Sequence, residues 1–302
     1  MAEWRPIMGV LPPLTDTEWQ RVFEIYQRTP EFIKVNFDMD VHAFKGIFWL
    51  EYLHRLLGRL LGLVFLLPMV YFAARKYISA GQLPWYLLML VLGGAQGLIG
   101  KVMVASGQVD VPHVSQYRLV AHLAAAFMVY AMMFWRAMSL LNPVAATARH
   151  RWYPRTLALT TLIIITIVSG GFVAGLKAGL VYNTFPMMGH YWIPPGLLAL
   201  DPAWRNFVEN MTTVQFQHRL LAISTFAIIL LYCWRARHAA LPLRAAKASN
   251  ALLHTAILQV ALGISTLVLK VPALLAATHQ GVALLLFTIA LLLLHGLRKV
   301  PM

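Results

Sequence analysis

The sequence is poor in cysteine and in charge. One cysteine, Cys233, occurs among 302 residues. That excludes an intramolecular disulfide and argues against a cysteine-ligated zinc or iron–sulfur centre. Charged side chains make up 12% of the chain, against roughly 25% in soluble domains. Acids are the scarcer sign, 11 against 25 lysines and arginines, for a formal net charge of +14. The basic residues are interspersed between apolar runs rather than gathered into one patch. This points to orientation in a bilayer and not to nucleic acid. The N-terminal stretch MAEWRPIMGVLPPLTDTEW is polar and proline-rich. It lacks a basic segment leading into an apolar one, so it does not read as a signal peptide.

What is abundant is apolar surface: 60% hydrophobic residues and a mean hydropathy of +0.67. The chain reads as an all-α integral membrane protein. Crossing the hydrocarbon core takes about 20 residues as a helix, and backbone groups in lipid must bond internally. Seven runs qualify, at about 47–73, 84–104, 118–140, 155–175, 217–234, 250–269 and 274–296. One set of connections carries Arg75 and Lys76, then Arg136, Arg149, Arg151 and Arg155, then Arg235, Arg237, Arg244 and Lys247, then Arg298 and Lys299. The opposite short connections carry only Lys101, Arg118 and Lys270. The first set is expected inside, with the C-terminus, and segments 1–46 and 176–216 outside.

The chain also repeats itself. EYLHRLLG (51–58) matches QFQHRLLA (215–222), placing His54 and His218 164 residues apart. QGLIG, with Gln96 and Gly100, matches QVALG, with Gln259 and Gly263, at an offset of 163. His122 in RLVAHLAAAF and His279 in LAATHQGVALLLF follow at an offset of 157. RPIMGVLPP, ending in Pro12 and Pro13, matches FPMMGHYWIPP, ending in Pro194 and Pro195. The second of these outer segments follows a span at 155–175; nothing precedes the first. Four spans per repeat predict eight, so Met1 is expected to be an internal methionine or the edge of a piece of a longer protein. The repeats share one orientation, with a pseudo-twofold axis along the membrane normal. They divide the chain into 1–145 and 146–302.

Ionisable residues inside a membrane are costly and mark function, although a single histidine in a bundle can serve packing alone. Four at matched places, each near the outer start of its span, ask for more. Two imidazoles from two helices can supply both axial positions of a haem iron. The repeat then gives two pockets, His54 with His122 and His218 with His279. Zinc is a poorer fit, since no compact loop gathers its ligands. Arg55 and Arg219 follow two of the histidines. They either snorkel to the surface or pair with haem propionates. Glu51 lies three residues before His54, on the same helix face; its counterpart is Gln215, which cannot ionise. A carboxylate beside one pocket only could move protons or stabilise charge there, or could be a surface carboxylate paired with Arg55 or Arg59.

Taken together, EWRPIMGVLPPL, EYLHRLLGRLLGLVF, QGLIGKVMV, YRLVAHL, AGLVYNTFPMMG, VQFQHRLLA and ATHQ resemble the haem A synthase family, in the branch shared by alphaproteobacteria and mitochondria. The likeness covers the whole chain. It implies eight spans in two four-helix bundles, of which the first span is missing here. It implies oxidation of the C8 methyl group of haem O to a formyl group, through two successive hydroxylations and loss of water, giving haem A for cytochrome oxidase. It implies haem b on His218 and His279, the substrate haem on His54 and His122, and an essential Glu51. The outer-loop cysteine pair of some bacterial relatives is absent. Haem O synthase, oxidase assembly proteins, an electron-transfer partner and a second copy of the chain are the expected associates. The membrane is the bacterial plasma membrane, or the mitochondrial inner membrane if the source is eukaryotic. The alternatives are a di-haem cytochrome b that only transfers electrons, and a non-catalytic haem carrier or assembly factor.

Overall fold

The computed structural model describes residues 11–105, 114–143 and 149–298. The landmark RPIMGV ahead of Leu11, and Lys299, lie outside these. Its first helix is one that hydropathy hides. Thr15 accepts a hydrogen bond from the backbone N–H of Glu18, while the Glu18 carboxylate accepts from the backbone of Leu14 and Thr15 at 2.7 and 3.1 Å. This capping box starts α1 (Asp16–Gln27). Trp19, Phe23 and Tyr26, at spacings of four and three, fall on one face and are buried. After the short α2 (Pro30–Lys34), α3 (Val41–Ala74) begins at Asp40, whose side chain caps it. The Trp19 and Phe48 rings meet edge-on at 4.9 Å, and Tyr26 stacks on Phe44 at 4.9 Å.

Six more long helices follow: α4 (Leu83–Ala105), α5 (Gln116–Leu141), α6 (Tyr153–Gly175), α8 (Met211–Arg237), α9 (Leu243–Val268) and α10 (Ala273–Gly296). A four-residue α7 (Asn206–Glu209) precedes α8. With α3, these are the seven helices long and apolar enough to cross a membrane. The described residues form no strand; they hold one isolated bridge, Met188 to Tyr191.

The seven spans match the sequence reading, but several start earlier. Helix α3 begins six residues ahead of the expected 47 and α8 six ahead of 217. Polar first turns escape a hydropathy window, whereas Asp40 and Asn210 cap these turns directly. Helix α3 has 34 residues, a length of about 51 Å against a core of about 30 Å. Its surplus carries Phe44 and Phe48, the seat of α1.

The chain divides into two compact units, 1–129 and 130–302, with the boundary inside α5. In the first unit α1 packs on α3, and α3 on α4. In the second, α6 meets α8, α8 meets α9, α9 meets α10, and α10 returns to α6. This is a closed ring of four helices with α8 and α10 on opposite corners. Apolar attraction between helices is weak in lipid, so small and hydroxylated residues matter. Thr156 bonds Tyr232 and Thr166 bonds Thr225, both at 2.7 Å, joining α6 to α8. The backbone of Gly296 lies against Ala245, joining α10 to α9. The segment between α6 and α8 is tied down by Asn183, which donates to the carbonyls of Gly179 and Leu267 at 2.8 and 2.9 Å. Buried Asn206 exchanges hydrogen bonds with the backbone of Leu200.

Candidate functional site

His218 is the eighth residue of α8 and His279 the seventh of α10. Both helices run the same way from opposite corners of the ring. The two imidazoles lie within electrostatic range of each other.

Each rests on a glycine near the end of the spanning helix that precedes its own. A β-carbon at Gly170 of α6 would fall 3.0 Å from Cε1 of His218. One at Gly263 of α9 would fall 2.9 Å from Cε1 of His279. The pattern recurs in the first unit, where a β-carbon at Gly100 of α4 would fall 3.4 Å from Cε1 of His122. A β-carbon at Gly263 would force the His279 ring to shift and one at Gly170 would crowd His218, whereas one at Gly100 would only touch His122.

Polar neighbours fix ring orientation. The Ser169 hydroxyl donates to the carbonyl of Thr166 at 3.0 Å and lies 2.7 Å from Nδ1 of His218. A hydroxyl has one hydrogen. In the tautomer in which that hydrogen goes to Thr166, Ser169 accepts from Nδ1–H and Nε2 of His218 keeps its lone pair; in the other, Ser169 donates to Nδ1. In His279 the Gln259 amide nitrogen stands 3.4 Å from Nε2, while Nδ1 and the Gln259 oxygen are buried without partners. The Gln96 amide lies 3.0 Å from Nδ1 of His122.

The first unit is more open. His54 is exposed on α3, within electrostatic range of half-buried His122. Glu51 is paired with Arg55 one turn along the same helix, both side chains partly buried. The second unit puts the equivalent positions to a different use. Arg219 donates to the carbonyls of Tyr182 and Thr184 at 2.8 Å each and to that of Met187 at 3.3 Å. Gln215 donates to the carbonyl of Tyr182 at 2.9 Å. Gln215 and Arg219 thus hold the outer segment onto α8. The Arg219 Nε and Gln215 Oε1 remain buried without partners.

Residues 1–291 match the family model of the cytochrome oxidase assembly protein COX15-CtaA. The chain belongs to the COX15-CtaA family. A heme A synthase of Nitrosospira multiformis is 47% identical over 99% of this chain and 85% of its own length. One of Paramagnetospirillum magneticum is 46% identical over 99% and 85%. Human heme A synthase COX15 is 44% identical over the whole of this chain and 76% of its own. The likeness to bacterial and mitochondrial members agrees with the branch read from the motifs.

Sequence reasoning left Ser169 and the three glycines without roles. For Gly100 and Gly263 a signal existed: both were repeat landmarks, one helix ahead of each second histidine. Ser169 has no matched landmark, and Arg219's acceptors are backbone carbonyls, which have no letter in a sequence.

Proposed function

We propose that this COX15-CtaA member makes haem A, oxidising the C8 methyl group of haem O to a formyl group. The observation that carries the reading is the pair of imidazoles, His218 and His279, on opposite corners of the α6–α8–α9–α10 ring, with the Ser169 hydroxyl 2.7 Å from Nδ1 of His218. A serine that accepts from Nδ1 leaves Nε2 free, which is the state an iron-ligating imidazole needs. Three features support the fit of a porphyrin: imidazoles on opposite corners of a ring of apolar helices, glycines that clear space beside them, and buried donors left over. Those donors are Nε of Arg219 and Nδ1 of His279.

In this reading His218 and His279 hold haem b, which would supply electron transfer to or from the reaction. His54 and His122 hold the substrate haem O. Glu51, one turn before His54, takes up the proton released as the methyl carbon is oxidised. Arg55 positions that carboxylate by pairing with it, since a charge-assisted bond restricts its rotation. Gln215 stands where Glu51 does but cannot carry a proton away, so the second pocket keeps its haem unchanged. Arg219 closes the outer segment over that pocket, with its Nε available to a propionate. In this reading the C-terminus lies inside and the histidines toward the outer leaflet, as the excess of basic residues at one set of helix ends supports. Haem O synthase upstream and oxidase assembly proteins downstream are the associates this chemistry calls for.

The test is haem extraction and mass spectrometry after expression in membranes that make haem O and lack their own haem A formation. The chain is expected to yield the formyl product, and Glu51→Gln to retain bound haem with no formyl product. Unchanged haem O from the parent chain would reject the enzyme in favour of a carrier or an electron-transfer cytochrome. Normal product from Glu51→Gln would reject the role of the carboxylate.

A further inference from the structure

The sequence has no aspartate or glutamate between 111 and 200, or between 210 and 302. Among the described residues, Arg151, Arg155 and Arg235 form no ion pair with a carboxylate. Three of them, Arg151, Arg155 and Arg235, line one groove between α6 and α8 with a volume of about 700 Å³. Below the arginines the walls are apolar, with Ala158, Leu162 and Leu231 among them. A second hollow of about 520 Å³ shares Ala158 and Leu162 and continues along α6 to Ile165.

The charged end of the groove is firmly built. The Arg155 guanidinium sits 5.3 Å over the ring of buried Trp152. Trp152 meets Tyr232 edge-on at 5.2 Å, and the Tyr232 hydroxyl is bonded to Thr156. From Pro154 to Ile165 the helix rises about 16 Å, close to one leaflet of a core about 30 Å thick.

We propose that this groove binds an anionic phospholipid of the surrounding bilayer. Its phosphate sits among Arg151, Arg155 and Arg235, and one acyl chain lies along α6 past Ala158 and Leu162. Basic pockets between membrane helices recognise such headgroups. A soluble phosphate would use the charged end alone and leave the apolar channel without purpose. The proposal does not depend on the haem reading.

The test is native mass spectrometry of delipidated protein in detergent, with added phosphatidylglycerol or phosphatidylcholine. Phosphatidylglycerol adducts are expected to persist where phosphatidylcholine adducts do not. Each guanidinium removed by Arg→Gln at 151, 155 or 235 is expected to lower occupancy about fivefold. Ala158→Trp, which fills the channel and keeps the arginines, is expected to lower it as well. Arg244→Gln with Lys247→Gln, outside the groove, is expected to leave it unchanged. Monodisperse elution of every variant guards against misfolding. Parental occupancy in the triple arginine variant, or in Ala158→Trp, would overturn the proposal. So would equal loss in the Arg244/Lys247 pair, or displacement of the lipid by millimolar inorganic phosphate, which would mark a small-anion site.

Discussion

At the scale of single residues, the Ser169 hydroxyl holds the Nδ1 side of the His218 ring, 2.7 Å from that nitrogen and 3.0 Å from the Thr166 carbonyl. With His218 as the proposed haem ligand, Ser169→Ala is expected to keep the haem but to shift its midpoint potential and ferric spectrum, because the ligand loses a neighbour that tunes its basicity. An unchanged potential would reduce Ser169 to packing. Gly263→Ala drives a carbon to 2.9 Å from the His279 ring. Overpacking of this kind costs about 1–3 kcal/mol, and the low-spin haem signal should broaden or weaken. Gly281→Ala, where the added carbon meets nothing within 4 Å, should leave it intact; equal behaviour of the two would dismiss the ledge. The histidines themselves were legible because they repeat. Their supports were partly legible: Gln96, Gly100, Gln259 and Gly263 announced themselves as repeated letters. What they touch depends on which helix lies next door, and the spacing of letters does not encode that.

At the scale of helices, α1 shows what a hydropathy reading misses. Its signals were present: a Thr-x-x-Glu box at Thr15–Glu18, then Trp19, Phe23 and Tyr26 on one face. The seven spans were legible because lipid imposes a length and a composition on them. A short amphipathic helix answers to no such rule and is stabilised by the aromatic seat on α3. The Leu14 and Thr15 amides hold the Glu18 carboxyl below its usual range. A depressed folded value means the cap's contribution is complete at neutral pH and lost as pH falls through that value. Amide protection across α1, corrected for the intrinsic exchange rate, is therefore expected to fall as pH drops below the ordinary carboxylate range. Glu18→Ala should show the lower protection already at neutral pH. A flat profile in the parent chain would show that the aromatic seat alone secures the helix.

At the scale of the whole molecule, charge supplies the direction. The positive-inside rule assigns the basic ends at Arg75 and Lys76, at Arg149–Arg155, and at Arg235–Arg237 to one side of the membrane in the proposed topology. Cys233, buried against Ser249, can be exchanged for alanine to give a cysteine-free background. Single cysteines at Lys76 and Arg237 should then react with an impermeant maleimide only from inside, and one at His190 only from outside. Labelling of all three from one side would overturn the topology. The repeat was legible at this scale too, since a duplication writes the same letters twice at nearly one offset. The arginine-lined groove was not, because it forms where α6 and α8 meet.

The glycine ledges carry a consequence for how this sequence can drift. Exchanging glycine for alanine adds a single carbon and ranks among the mildest edits a gene can undergo. Gly93, Gly94 and Gly97 look onto open space and should accept it freely. Gly170 and Gly263 should not. A map of mutational tolerance would thus show two sharp gaps, each on the spanning helix that precedes a histidine's own.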